Sequence, residues 1–252
     1  MSRIIICGYG HIGRHMYEEF EALSPSIYDP NIPEYSSLPK ELFDFAFICV
    51  PTEMKEDGSA DISIVEQCVK DIRANITIIK STVPPTTTKN LSSKYSKNIV
   101  FSPEQWGATQ HAFKKQDFVI LGGNRELTSE VAQLYYKVRN GAFKIYVTDS
   151  TTAELSKYML NCFLAMKVTF CNEFADIAHS YDVSYEELRE LFCADSRISP
   201  YHTLVYNDRP YYDSHCFNKD VPALLNSASC QMPLLSCMQD INLHKKKEYY
   251  LK

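Results

Sequence analysis

Arg3-Ile4-Ile5-Ile6-Cys7-Gly8-Tyr9-Gly10-His11-Ile12-Gly13 opens the chain, and its reading sets the architecture. Residues 3–7 are a short apolar run and a helical pattern follows to residue 23, so the glycines fall between a strand and a helix. In such a turn Gly8 permits the tight bend, Gly10 lets the backbone approach a pyrophosphate, and Gly13 lets helix and strand pack closely. The helix N-terminus then faces the phosphates with free amides. Residues 26–28 read as the second strand. Asp29 closes that strand 21 residues after Gly8, where an acid can hydrogen-bond the adenosine ribose hydroxyls. Pro30 and Asn31 follow it rather than an arginine, which favours NAD over NADP.

Residues 45–50 and 76–80 are two more apolar runs, with helical spacing at Ile64, Val65, Cys68, Val69 and Ile72 between them. Short strand-like runs follow at 99–101, 118–121 and 143–147, and helix candidates at 86–95 and 126–139. Strands alternating with helices predict a mostly parallel, doubly wound sheet. Its ligand belongs at the carboxyl ends of the strands, which here carry Val50-Pro51-Thr52, Ser81-Thr82 and Ser102-Pro103-Glu104.

Residues 151–181 read as one long helix. Thr151-x-x-Glu154 has the form of a capping box. Leu155, Met159, Phe163, Met166, Phe170, Phe174 and Ile177 recur at threes and fours, so the helix is expected to be buried along much of its length. That apolar surface is wider than one small domain can cover, which predicts a homodimer through this helix. Lys157 and Asn161 are four apart and share a face. A second capping box, Ser184-x-x-Glu187, predicts a helix to about residue 194. Residues 195–213 read as loop, continuing through Cys216-Phe217-Asn218-Lys219-Asp220. A last helix is expected from Val221 through Leu234 and Leu235, and a solvated basic cluster, Lys245 to Lys247, in the tail.

Composition excludes several classes. The chain has 252 residues, 45% of them apolar and 23% charged, which suits one large or two modest domains. A net charge of -5 argues against a nucleic-acid surface. Nine cysteines without a CxxC pair argue against a metal site or a secreted disulfide framework. No signal peptide and no apolar run of about 20 residues is evident, so the expectation is a cytoplasmic protein with no membrane partner.

Taken in order, several of these stretches resemble the UDP-glucose dehydrogenase family of four-electron nucleotide-sugar dehydrogenases. They are the glycine turn, Val50-Pro51-Thr52 with Asp61 beyond, Ser81-Thr82-Val83-Pro84-Pro85, Ser102-Pro103-Glu104, and Ala153-Glu154 through Lys157, Asn161, Phe163-Leu164-Ala165 and Asn172-Glu173. Ser196-Arg197-Ile198 and Cys216-Phe217-x-Lys219-Asp220 complete the series, which covers about residues 2–242. The resemblance implies a Rossmann-type NAD-binding domain at 1–148, then a helical dimerisation domain at 149–252 built on the long helix and carrying catalytic residues.

It further implies that a sugar primary alcohol is oxidised twice to a carboxylate, with two NAD consumed and Cys216 holding the intermediate as thiohemiacetal and thioester. Lys157 and Asn161 would stabilise the developing oxyanion. Asp220 and Thr82 would position or activate water, and Glu104 would serve as an acid–base residue. Lys219 would contact substrate, and Arg197 would reach the substrate of a neighbouring subunit. Gly8, Gly10, His11, Ile12, Gly13, Asp29, Val50, Pro51, Thr52, Ser81 and Thr82 would hold NAD. Three departures stand out. Tyr211, Asp213 and Ser214 replace family glycines near the cysteine, and Ala108 replaces a second acid four residues after Glu104. The family's later nucleotide-binding domain is expected to be missing from a chain that stops at Lys252. The competing readings are a β-hydroxyacid dehydrogenase, which also carries Lys-x-x-x-Asn on its long helix, a non-catalytic NAD-binding module, and a dehydrogenase of GDP-mannose or of an N-acetylhexosamine nucleotide.

Overall fold

A computed structural model describes residues 2–104, 117–139 and 143–251. It contains two compact units, Met1–Lys55 with Ala60–Lys157, and Glu56–Ser59 with Tyr158–Lys252.

The first unit is built on β1 (Ile4–Cys7), α1 (His11–Phe20), β2 (Ser26–Tyr28), β3 (Phe43–Ile48), α2 (Ser63–Asp71), β4 (Ala74–Ile79), α3 (Thr87–Tyr95), β5 (Ile99–Phe101), β6 (Phe118–Gly122), α4 (Arg125–Val138) and β7 (Lys144–Thr148). Its seven strands lie in the order β2-β1-β3-β4-β5-β6-β7. All neighbours are parallel except β5 and β6, which matches the expected mostly parallel, doubly wound sheet. The central strands carry long apolar runs because both sheet faces are covered. Alternate residues divide between the two faces. Ile5, Cys7, Ala46, Ile48 and Ile79 pack against Val65, Val69 and Leu91 on one face. Ile4, Ile6, Phe45, Phe47 and Ile78 pack against Met16, Phe20 and Leu134 on the other. Each fully buried side chain of this size contributes roughly 1.5–3 kcal/mol.

Chain reversal at the carboxyl edge of the sheet depends on two glycines with different tasks. Gly8 has φ +87, and a Cβ there would stand 2.8 Å from the Cys49 carbonyl oxygen. A Cβ on Gly13 would stand 1.9 Å from the Gly8 carbonyl oxygen, so no larger residue lets α1 pack so closely on β1.

α5 (Ser150–Ser180) is the long helix, and it differs from expectation in two respects. Its first turn is capped by Asp149, whose Oδ1 accepts from Thr152 N at 3.0 Å and whose Oδ2 accepts from the Thr152 hydroxyl at 2.6 Å. Thr151 and Glu154 do not form the capping box. Glu154 is fully buried instead, and its carboxylate accepts from the amides of Thr86 at 2.6 Å and Thr88 at 2.8 Å. The second difference concerns which face is buried. Small and polar side chains face inward: Ala153, Glu154, Lys157, Asn161, Ala165, Thr169 and Asn172 are all buried. Leu155, Met159, Phe163, Phe170, Phe174 and Ile177 are exposed, with Met159 at 76% and Phe163 at 53%. Hydrophobic periodicity locates a helix correctly, but it cannot tell a buried face from an exposed one.

In the second unit α6 (Tyr185–Cys193) starts at Ser184, whose hydroxyl accepts from Glu187 N at 3.3 Å and donates to Glu186 at 2.9 Å. The hydroxyl half of the expected capping box is thus made, while Glu186 binds the Ser184 hydroxyl rather than its backbone amide. Residues 215–227, expected to begin as loop, form α7 (His215–Ser227). The Ser214 hydroxyl caps it by accepting from Phe217 N at 3.1 Å, and Pro222 lies within it, where its missing N–H costs one helical bond. The last helix is therefore two. α8 (Pro233–Tyr250) starts afresh with proline at its first position, where proline is tolerated. The basic cluster is helical rather than a loose tail. Lys245 pairs with Asp176 and Lys246 with Asp213.

Candidate functional site

The glycine turn has the shape a pyrophosphate needs. Gly10 sits at the N-cap of α1 with no side-chain cap, and a Cβ built on it would meet nothing within 4 Å. The turn is therefore open above the first-turn amides, where an anion is stabilised by N–H groups and the helix dipole. His11 is exposed and Ile12 half-buried in that turn. Asp29 stands beside it, with Oδ2 accepting from Tyr9 N at 2.8 Å and Oδ1 from Asn31 N at 2.9 Å. Those bonds leave each carboxylate oxygen a second lone pair. The cradle fits a dinucleotide: Gly8, Gly10 and Gly13 shape it, and Asp29 offers the ribose acceptor. Tyr9 packs edge-on against Tyr17 and Tyr35, and the Arg14 guanidinium lies 5.7 Å from its ring centre. Glycine spacing gives no sign of this aromatic support.

The strand-end loops are tied to one another. Ser81 donates to the Val50 carbonyl at 2.6 Å and Thr52 to the Thr82 carbonyl at 2.9 Å. The two hydroxyls thus hold the loops after β3 and β4 in register, with Pro51 exposed between them. Glu104 follows β5 and is 8% exposed. Lys80, unremarked among the sequence candidates, lies 3.7 Å from its Oε2 and 3.3 Å from the Ser102 hydroxyl. Ala108 lies outside the described residues.

In the second unit the structure brings Asn161, Lys219 and Asp220 together, all buried. Asn161 Nδ2 donates to Asp220 Oδ2 at 2.6 Å, and Lys219 pairs with Asp220 Oδ1. Cys216 is exposed in the first turn of α7, and its four-residue spacing from Asp220 puts the two on one helix face. Lys157, one turn before Asn161 on α5, is 9% exposed. Cys162 is a poor rival nucleophile, since burial and the Asp220 charge push its thiol up to about 12. Asp213 and Ser214, at two positions where the resembled family has glycine, have structural tasks. Asp213 accepts from Asn218 Nδ2 at 2.7 Å and Ser214 caps α7. Arg197 is not part of this group, because its guanidinium binds Asp195 at 2.6 Å while its side chain is 86% exposed.

Sequence comparison decides the family. The UDP-glucose/GDP-mannose dehydrogenase family matches through its NAD binding domain at residues 34–139 and its central domain at residues 151–244. The chain belongs to this family. It is 34% identical over 194 residues to UDP-glucose 6-dehydrogenase of Rickettsia felis, covering 71% of this chain and 42% of that protein. This member of the UDP-glucose/GDP-mannose dehydrogenase family therefore spans less than half the length of that relative. Its fold is similar to that of a UDP-glucose dehydrogenase from the archaeon Pyrobaculum islandicum, with TM-score 0.80 and 23% identity over 97% of this chain and 68% of that one. It is also similar to 3-hydroxyisobutyrate dehydrogenase of Mycobacterium tuberculosis, with TM-score 0.72 and 16% identity over 99% of this chain and 95% of that one. Both likenesses concern the fold. Among the described residues no helix is long and apolar enough to cross a membrane.

Proposed function

We propose that this chain carries out NAD-dependent oxidation of a nucleotide-sugar primary alcohol to the carboxylate, as a cytoplasmic homodimer. The domains would be 1–148 for NAD and 149–252 for catalysis and dimerisation. One observation carries the reading: the buried Asn161–Asp220–Lys219 group, with Cys216 one turn before Asp220 on α7.

Bound NAD supplies the hydride acceptor, with one molecule used for each of two oxidations. The protein's own residues account for the rest. Lys157 and Asn161 present a charge and a donor to the oxygen that gains negative charge. The Cys216 sulfur adds to the aldehyde carbon left by the first oxidation, giving a thiohemiacetal that keeps the aldehyde from escaping. After the second oxidation the carbon is a thioester. Asp220 and Thr82 place the water that breaks the C–S bond, which releases the carboxylate and returns the thiol. Glu104 exchanges the protons, and Arg197 and Lys219 contact the sugar nucleotide, Arg197 across the dimer.

The assay is NADH production against a panel of nucleotide sugars, with the product identified as aldehyde or acid. An acid with two NADH per sugar supports the proposal. The likeness to 3-hydroxyisobutyrate dehydrogenase and the shared Lys-x-x-x-Asn favour one second reading, a single oxidation of a β-hydroxyacid that ignores Cys216. One NADH per substrate from such acids, with no turnover of nucleotide sugars, would establish that reading instead.

A further inference from the structure

Lys80 is a cation buried in the first unit, at the carboxyl end of β4, with its side chain 6% exposed. A buried ammonium is kept only where charges or acceptors compensate its lost hydration. The groups around it are the Ser102 hydroxyl at 3.3 Å, Glu104 Oε2 at 3.7 Å, Cys49 at the end of β3, Tyr135 on α4 and Glu19 on α1. Glu19 is already engaged by Arg139 in a buried two-point pair, Nε to Oε1 at 2.6 Å and a terminal nitrogen to Oε2 at 3.1 Å. Tyr135 and Cys49 are buried or half-buried neutral groups, and burial pushes the thiol of Cys49 well up. Glu104 is then the carboxylate nearest to Lys80. A 20 Å³ cavity, room for about one water, adjoins these groups, with His15, Glu19, Lys80, Glu104, Tyr135 and Arg139 in its lining.

We propose that Lys80 is a positioning residue for Glu104. It holds the carboxylate in one orientation at the end of β5, so that the acid–base group is in place before substrate arrives. This rests on the reading of Glu104 as an acid–base residue. It adds a residue that the strand-end pattern alone passes over, because Lys80 is the last residue of the apolar run 76–80.

The test uses the full chain and the variants K80M, K80R, E104Q and K80M/E104Q. Urea unfolding at pH 7 measures whether the two side chains are coupled. The proposal expects K80M and E104Q each to lower the midpoint, and the double variant to lie above the sum of the two losses. With a nucleotide sugar and NAD, K80M should lose at least tenfold in kcat with KM for NAD within twofold, and K80R should recover much of that loss. Additive stability losses, or a K80M kcat equal to that of wild type in an active protein, overturn the proposal alone. Coupled stabilities in a wild-type protein that oxidises no sugar overturn the reading of Glu104, and the positioning role with it.

Discussion

Asn161 Nδ2 and Asp220 Oδ2 are 2.6 Å apart, a buried bond between α5 and α7. Asp220 also carries the ion pair with Lys219, so one carboxylate fixes both an amide and an ammonium. Removing one partner of a buried pair strands the other charge, at a cost of about 3–5 kcal/mol. Asp220→Ala should fall in that range by urea unfolding. Adding Lys219→Met should return part of the loss, since the stranded charge is then gone. A loss below about 1 kcal/mol would mean that the pair is solvated.

Glu154 supports a pH prediction. Burial raises its carboxyl above the ordinary 4.5, against the pull of the Thr88 and Thr86 donors, which lower it. The folded state therefore holds this proton more tightly than the unfolded state. Its contribution is fully present below about pH 4.5 and is lost as pH rises through the folded value. The stability of wild type minus that of Glu154→Gln should be largest near pH 4 and shrink toward pH 7. A denaturant series at three pH values checks the sign, and a difference that grows with pH would contradict it. Glu154→Ala should cost about 2 kcal/mol or more at any pH, because the buried Thr88 amide and the Thr86 amide lose their acceptor.

Asp29 governs cofactor choice in the proposed function. Its carboxylate would repel a 2′-phosphate while accepting from ribose hydroxyls. Wild type should bind NAD more tightly than NADP, and Asp29→Ser should narrow that gap by weakening NAD most. Calorimetry with both dinucleotides measures it, and tighter NADP binding by wild type would refute the assignment.

The sheet was legible because its strands are apolar at consecutive positions and its glycine turn has one steric solution. Gly13 beneath the Gly8 carbonyl is the clearest case. The helical unit was less so. Cys216 to Asp220 lack an apolar period of their own, and the signal that makes them helix is the cap at Ser214, three residues before Phe217. Glu154 looked like a cap because its spacing from Thr151 is right, yet its acceptors were needed by amides 66 and 68 positions away in sequence. Spacing cannot foresee a long-range partner, and Lys80 escaped notice for the same reason.

The outward face of α5 predicts association. Met159, Phe163, Phe170 and Phe174 are all exposed on it, and Phe170 and Phe174 stack at 4.6 Å. Contiguous apolar surface of this kind marks an interaction site, and a second copy is the occupant proposed here. Light scattering at micromolar concentration should give twice the chain mass. Phe163→Asp with Phe170→Asp should give the monomer, with NAD binding retained because the glycine turn is untouched. A monomeric wild type would remove the dimer from the proposal.

Cys216 separates the four-electron reading from the hydroxyacid reading. If its sulfur forms the adduct, Cys216→Ser can still add an oxygen to the aldehyde, but the ester formed after the second oxidation hydrolyses far less readily than a thioester. Turnover should collapse and mass spectrometry should find sugar attached to the protein. Lys157→Ala should fail differently. Its charge would serve both oxidations, so the rate of each should fall by about 10²–10³, the scale of one lost oxyanion donor, and no adduct should accumulate. Steady-state rates read beside the intact masses of both variants make the comparison. Full activity in Cys216→Ser would reject the covalent mechanism while leaving Lys157 and Asn161 to a single oxidation.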